Sequence, residues 1–260
     1  MKPNKTRYFF EIAYNGSQYH GWQVQPNSTA VQEVFEDRLS KKIREDVRTY
    51  GCGRTDTGVH ARKFFLHFES EQTFDASLGY ELNAFLPRDI ACKKLYKVAA
   101  HLDHYRLHAR FDAYERQYEY LIALEKDPFG IGHKTVFYSQ KLNLDIMHEA
   151  AALLPNYSNF RAFSKLETTG KSNECKMYWA KWEQDGNQLK FTISANRFLR
   201  SMVRKIVGTM IWLGSGRMTL DEFKAGIESQ DPTKTGLVAP PDGLYLIDIK
   251  YPDNSLELIG

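Results

Sequence analysis

One glycine-rich stretch of eleven residues, Gly51 to Ala61, constrains this chain more than any other part of its sequence. Glycine suits sharp bends and close backbone approaches, and the neighbouring threonines can fix a turn by hydrogen bonding to nearby backbone. Among them lie Arg54, Asp56 and His60. The pattern predicts a tight polar loop with one carboxylate, which the arginine can keep ionised. An ordinary turn between strands would explain the glycines but not the crowding of three ionisable side chains.

The composition of the 260 residues is that of a globular protein, with 42% hydrophobic and 26% charged residues. The most apolar stretch, residues 206–213, is too short to span a bilayer, and no signal peptide is evident. Three widely separated cysteines indicate neither a disulfide framework nor a zinc site, which favours the reducing cytoplasm. A net charge of +3 is only mildly basic, but the arginines lie among aromatic residues, as binding to unstacked nucleotides requires.

Hydrophobic spacing predicts a mixture of strands, helices and hairpins, and therefore an α+β fold. The predicted strands lie at residues 7–14, 47–50, 64–69, 94–99, 114–124, 174–182, 188–195 and 243–251. The predicted helices lie at 29–43, 82–86, 143–154 and 198–213, with another short one after residue 219. Capping boxes are predicted at Thr29–Gln32 and Thr219–Glu222. A polar, basic stretch at 101–112 is interpreted as the crossing between two α+β halves, residues 1–104 and 105–260.

Asp56 is the leading candidate for chemistry, since a carboxylate can act as a base, a nucleophile or a stabiliser of positive charge at a sugar carbon. Tyr118 could stack on a base or pass a proton, although a lone tyrosine is more often a core ring. Arg204 lies beside the apolar stripe of its helix and could pair with a carboxylate such as Asp56. The spacing of His101, His104 and His108 could suit a metal, but no acid or cysteine reinforces it.

Together these residues resemble the tRNA pseudouridine synthase A family. The loop at 51–61 matches the family signature G-x-G-R-T-D-x-G-V-H-A throughout. Further matches run in order along nearly the whole chain: Ala13-Tyr14, Gly21-Trp22-Gln23, Val31-Gln32, Asn83 to Ile90, His108-Ala-Arg-Phe111, Arg116-x-Tyr118-x-Tyr120, Met202 to Gly208 and Ala239 to Leu246.

The resemblance implies a role for each matching residue. Asp56 would be the essential catalytic aspartate, and Arg54 would help to flip the target nucleotide out of its stack. Tyr118 would stack on the target uracil, Arg204 would form a salt bridge with Asp56, and Leu244 would close the apolar floor of the pocket. Four further residues are assigned to substrate binding: Thr55, His60, Arg110 and Arg116.

The resemblance also implies the setting of the site. The family fold is two similar α+β halves that share a mixed, largely antiparallel sheet, with helices on one side and a central cleft. The first half carries the catalytic Asp loop, and the second carries the Tyr strand and the Arg helix. A cytoplasmic homodimer is expected, which binds the tRNA anticodon arm and needs no cofactor, metal or membrane. Departures from the family pattern occur at Asn15, Ala30, Asp112 and Val238.

Two other classes of function stay open at this stage. A non-catalytic RNA-binding protein or tRNA chaperone could have kept the fold, although it would not need Asp56, Tyr118 and Arg204 intact. A glycoside or nucleoside hydrolase could use Asp56 as well, and it would release free uracil. The residues do not decide whether Asp56 attacks a carbon or moves a proton.

Overall fold

The computed structural model describes residues 5–102, 106–137, 141–164 and 172–259. The chain forms two compact units, one of Met1–Tyr114 with Leu246–Gly260 and one of Glu115–Tyr245. The C-terminal segment therefore packs with the N-terminal part of the chain. The predicted domain boundary, between residues 104 and 105, lies outside the described residues, so domains at 1–104 and 105–260 stay a prediction.

The secondary structure is a mixture of strands and α-helices, joined by loops and short 3₁₀ turns. In chain order the elements are β1 (Thr6–Tyr14), α1 (Val31–Ile43), β2 (Tyr50–Gly51), β3 (His60–Ser70), α2 (Ser77–Asn83), β4 (Ile90–Val98), β5 (Glu115–Ala123), β6 (Thr135–Val136), α3 (Leu144–Leu153), β7 (Met177–Asp185), β8 (Gln188–Ala195), α4 (Met202–Gly214), α5 (Leu220–Glu228), β9 (Leu244–Lys250) and β10 (Leu256–Leu258).

The first unit is built on antiparallel strands around β1. This strand pairs with β3 on one side and β4 on the other, while β2 pairs with β3 and β10 with β4. Phe10 of β1 stacks on Phe68 with ring centroids 5.7 Å apart and meets Phe35 of α1 edge-on. The prediction that β3 is half-buried is wrong, because residues 64–68 are buried on both faces of the strand.

The second unit is built on β8, which is antiparallel to both β5 and β7, while β6 is parallel to β5. The predicted hairpin between β7 and β8 is confirmed, with Gly186 in its turn at a φ of +53°. Helix α4 buries the apolar stripe predicted for it. It begins at Met202 rather than at Phe198, since Ser201 takes a left-handed conformation with a φ of +60°.

The α+β class with a mixed, largely antiparallel strand arrangement is confirmed. The predicted capping box at α5 is confirmed, but the one at α1 is wrong. Helix α1 begins after Ala30, and the Gln32 side-chain amide, which the predicted capping box would use, instead donates to the Glu36 carboxylate and to the Thr49 carbonyl. Over the described ranges, we find no helix with the length and apolarity needed to cross a membrane.

Candidate active site

The glycine-rich loop lies in the first unit, where the segment between β1 and α1 holds it through main-chain contacts. The Gly58 amide donates to the Tyr19 carbonyl at 3.1 Å, and the Trp22 amide donates to the Thr55 carbonyl at 3.4 Å. Gly21 has a φ of +86°, and a Cβ there would overlap the Thr55 carbonyl oxygen. The close approach therefore requires glycine, because a side chain would both strain Gly21 and push the loop away.

Two predicted site residues anchor this loop from inside. The Thr55 hydroxyl lies 2.9 Å from the Tyr14 hydroxyl, and Thr55 is only 8% exposed. His60 is 1% exposed, and its Nδ1 accepts a hydrogen bond from the Gly16 amide at 3.1 Å. The structure thus gives both residues a part in fixing the loop, while their substrate-binding role stays a prediction.

Asp56 lies at the turn that these anchors surround. Its carbonyl accepts a hydrogen bond from the Val59 amide at 3.1 Å, and the residue is partly exposed. Arg54, two residues earlier, is exposed. A carboxylate on a turn with so many fixed main-chain contacts is held in place without a large reorganisation, which is what acid–base or nucleophilic catalysis by one acid needs.

Arg110 lies in the same unit, in the segment that leads to β5. This segment is fixed to the strands by its main chain, since the Ala109 amide donates to Nδ1 of His67 and the Ala109 carbonyl accepts from the Tyr251 hydroxyl. Arg110 and Arg54 both line one groove of about 810 Å³ beside the loop. The aromatic rings of Tyr50 and Phe111 also line this groove.

The second unit positions Arg116 and Tyr118 on β5. Tyr118 pairs in register with Ile193 of β8, and its ring meets Phe198 edge-on with centroids 5.1 Å apart. The Arg116 guanidinium donates to the Asn196 carbonyl at 2.6 Å. Both side chains are partly exposed, so the strand leaves them accessible while it fixes their backbone.

Arg204 lies on α4 of the second unit and holds the segment before β9. Its Nε donates to the Ala239 carbonyl at 2.7 Å, and the Ala239 amide donates back to the Arg204 carbonyl at 3.1 Å. Leu244 begins β9 directly after this segment and is buried, and its amide donates to the Pro241 carbonyl. Burial raises the pKa of the nearby Tyr120 phenol, and the positive charge of Arg204 opposes that rise.

Two departures from the family pattern take part in local turns. The Asn15 side chain accepts a hydrogen bond from the Ser17 amide at 3.0 Å, as an aspartate could. The Asp112 carboxylate accepts one from the His108 amide at 2.6 Å, so it closes the turn of its own segment. Ala30 is the residue before α1 and provides no side-chain cap. Nothing in the structure explains Val238.

The structure distributes the predicted site residues between the two units. The first unit contains Arg54, Thr55, Asp56, His60 and Arg110; the second contains Arg116, Tyr118, Arg204 and Leu244. His104, one of the three spaced histidines, lies outside the described residues. Elsewhere in the parts that the structure covers, no three His, Cys, Asp or Glu side chains are grouped to hold a metal ion.

Comparison with known proteins first defines the class. A family model described as tRNA pseudouridine synthase matches residues 150–252. A solved Cbf5-Nop10-Gar1 complex is similar at 12% identity over 79% of this chain and 54% of that chain, and its TM-score of 0.31 is too low to define a fold.

Relatives with similarity along the whole chain then define the family. A tRNA pseudouridine synthase A of Parabacteroides distasonis is 42% identical over 95% of this chain and 96% of its own length. One of Porphyromonas gingivalis is 43% identical over 96% of this chain and 98% of its own. One of a Thermoanaerobacter species is 37% identical over 92% of this chain and 97% of its own length. The chain belongs to the tRNA pseudouridine synthase A family, and it is an enzyme of the isomerase class.

Proposed function

We propose that this isomerase converts uridine to pseudouridine on the 3′ side of the tRNA anticodon stem-loop, with Asp56 as the catalytic carboxylate. The observation that carries the proposal is the loop itself: a single acid on a turn whose backbone is fixed on several sides. Membership of the family supports the reaction, and the complete match of the loop to the family signature supports the residue.

The chemistry needs little beyond one acid and a pocket. The C1′–N1 glycosidic bond breaks, the uracil turns, C1′ bonds to C5, and the hydrogen on C5 is lost while N1 regains a proton. The atoms of substrate and product are the same, so the reaction needs no oxidant and no net water. Asp56 promotes the cleavage either by attack on carbon or by proton movement.

The other residues support this step in the proposal. Arg54 helps to extrude the uridine, which costs a few kcal/mol when the base lies in a stem. Tyr118 stacks on the uracil and Arg204 acts as the cation for Asp56. Thr55, His60, Arg110, Arg116 and Leu244 shape or bind the substrate site. We also propose a cytoplasmic homodimer without cofactor.

Tritium release tests the proposal directly. Transcripts of tRNA labelled at uracil C5 lose the label only when the C1′–C5 bond forms. We expect release by the wild type and none by Asp56→Asn, with tRNA affinity within about tenfold because phosphate contacts dominate binding. Asp253→Asn, an exposed aspartate in a turn of the same unit, is the matched control.

The same assay separates the other classes of function. Full activity of Asp56→Asn would contradict the catalytic assignment. Binding by the wild type without release, across a full set of tRNAs, would favour an RNA-binding protein or chaperone. Free uracil in the supernatant would indicate a hydrolase. Mapping of the modified nucleotide in the product would confirm or correct the anticodon-arm position.

A further inference from the structure

The groove beside the loop contains two exposed pairs of an arginine and an aromatic ring. The Arg48 guanidinium carbon lies 5.7 Å from the centroid of Tyr50, and that of Arg110 lies 5.7 Å from the centroid of Phe111. Phe111 is 74% exposed and Tyr50 is 44% exposed. A single exposed ring is common on protein surfaces, but exposed rings grouped in one groove mark a surface that contacts another molecule.

The positions of these two rings are fixed by histidines behind them. Tyr50 stacks on His67 with centroids 5.0 Å apart and an angle of 16°, and Phe111 lies 4.5 Å from the ring of His108. The two histidines meet edge-on at 4.6 Å. Each histidine accepts a main-chain hydrogen bond at Nδ1, so the cluster is held in a fixed arrangement. A ligand that stacks here would therefore meet ordered rings.

The charges around the groove favour an anion. Arg48, Arg54 and Arg110 line it, all three exposed, whereas its acids are Glu36 and Asp46. Glu36 is already occupied, because one of its oxygens accepts from the Thr49 amide at 2.6 Å and from the Thr49 hydroxyl at 2.9 Å. Flat rings with guanidinium groups beside them suit a ligand that has both planar bases and phosphates.

We propose that this groove binds an unpaired nucleotide of the RNA substrate, with its base stacked on Phe111 or Tyr50 and its phosphate paired with Arg48 or Arg110. The inference rests on the proposed function for the identity of the RNA. Stacking needs a free face of the base, which a nucleotide inside a duplex does not offer. The groove would thus hold a second, non-reacting nucleotide and fix the register of the RNA at the loop.

Fluorescence anisotropy with labelled RNA tests this binding apart from catalysis. The probes are an unmodified tRNA transcript and a blunt RNA duplex without unpaired bases. We expect Phe111→Ala to weaken tRNA binding about fivefold or more and to leave duplex binding unchanged. Phe111→Trp keeps a stacking ring and should restore the affinity. Tyr80→Ala, which removes an 84% exposed ring on α2, is the matched control and should bind both RNAs as the wild type does.

Salt dependence separates the ring from the cation. At least one of Arg48→Gln and Arg110→Gln should lower the slope of log affinity against log salt by about one, because the contact with one phosphate is lost. Phe111→Ala should leave this slope unchanged. An unchanged tRNA affinity of Phe111→Ala would overturn the proposal, even if its oligomeric state changed. An equal loss of affinity for the tRNA and for the duplex would overturn it as well.

Tritium release by the wild type keeps the two proposals distinguishable. If the wild type binds tRNA through Phe111 but releases no tritium, the groove stands and the proposed reaction fails. If the wild type releases tritium and Phe111→Ala binds tRNA equally well, the reaction stands and the groove assignment fails. Equal melting temperatures of wild type and variants show that the differences come from the binding surface.

Discussion

The loop of Asp56 in the first unit and the helix of Arg204 in the second hold their proposed site residues in different ways. Main-chain contacts to the segment of Gly21 and Tyr19 fix the Asp56 loop, and the side chains of its neighbours Thr55 and His60 support it, so none of the contacts described for the loop uses the Asp56 carboxylate. In the Arg204 region the side chain itself takes part, since its Nε donates to the Ala239 carbonyl, beside the main-chain bond from the Ala239 amide. We therefore expect Arg204→Ala to affect stability as well as activity, whereas the main-chain contacts of the Asp56 loop would remain in Asp56→Asn.

The two helix starts follow the same division. At α1 in the first unit, the amides of Val31 and Gln32 donate to the carbonyls of Gly21 and Trp22, so the preceding loop satisfies them. At α5 in the second unit, the side chains of Thr219 and Glu222 satisfy the helix start. The segment at Gly21 thus supports both the Asp56 loop and α1, so we expect a change there to disturb both.

The largest expected effect comes from Gly21→Ala. The new methyl group would overlap the Thr55 carbonyl and would force a residue with a side chain to a φ of +86°. We expect a loss of at least about 2 kcal/mol in the free energy of unfolding, together with most of the activity. Urea denaturation and tritium release measure the two losses.

The control for this change is Gly53→Ala in the same loop. Among the described residues other than its chain neighbours, no atom lies within 4 Å of a Cβ built on Gly53, and its φ is not in the left-handed region. We expect a stability within about 0.5 kcal/mol of the wild type. If Gly21→Ala were as stable and active as Gly53→Ala, the main-chain support of the loop would be disproved.

Arg204→Ala tests the opposite arrangement in the second unit. The change removes a charged donor from the Ala239 carbonyl, which we expect to cost about 1.5–3 kcal/mol of stability. Loss of the proposed cation at Asp56 should also lower the rate about 100-fold or more. Thermal unfolding and tritium release check both effects, with the exposed Arg217→Ala as control. An unchanged melting temperature and rate would contradict both roles of Arg204.

His67 gives the first unit a dependence on pH. Burial, followed by the charges of Arg7 and His108, lowers the pKa of His67 to about 3. The unfolded chain takes up a proton near pH 6.5 but the folded chain does not, so stability is present above pH 6.5 and falls as the pH drops toward 3. We expect this residue to account for a loss of about 1–2 kcal/mol between pH 7 and pH 4.5.

The His67→Asn variant measures this contribution. Its amide oxygen can still accept the hydrogen bond from the Ala109 amide, but it does not titrate in this range. Urea denaturation at pH 7 and at pH 4.5 should show a smaller difference between the two conditions than in the wild type. The exposed His101→Asn should retain the full difference. Parallel losses in wild type and His67→Asn would show that other groups cause the acid sensitivity.

The sequence predicted best the features that residues close together in the chain determine. Alternation and turn chemistry predicted the β7–β8 hairpin, because its residues contact each other directly. Local patterns failed where distant residues intervene. The alternation of β3 suggested a half-buried strand, but Phe65 packs on Tyr251 from the far end of the chain. The sequence indicated arginines among aromatic residues, but it could not show that Tyr50 and Phe111 line one groove, because the chain brings them together from distant positions.

The smallest expected effect distinguishes the two capping motifs that look alike in the sequence. Thr219→Ala removes a side-chain acceptor from the Glu222 amide, and we expect it to cost about 1 kcal/mol. Thr29→Ala removes no such bond, because Ala30 precedes α1 and the carbonyl groups of the loop already accept from the first amides of the helix. We expect less than about 0.5 kcal/mol there. Urea denaturation of both variants measures the two losses in the free energy of unfolding. Equal losses would mean that the helix starts of the two units are stabilised in the same way, and the contrast between main-chain and side-chain support would not extend beyond Asp56 and Arg204.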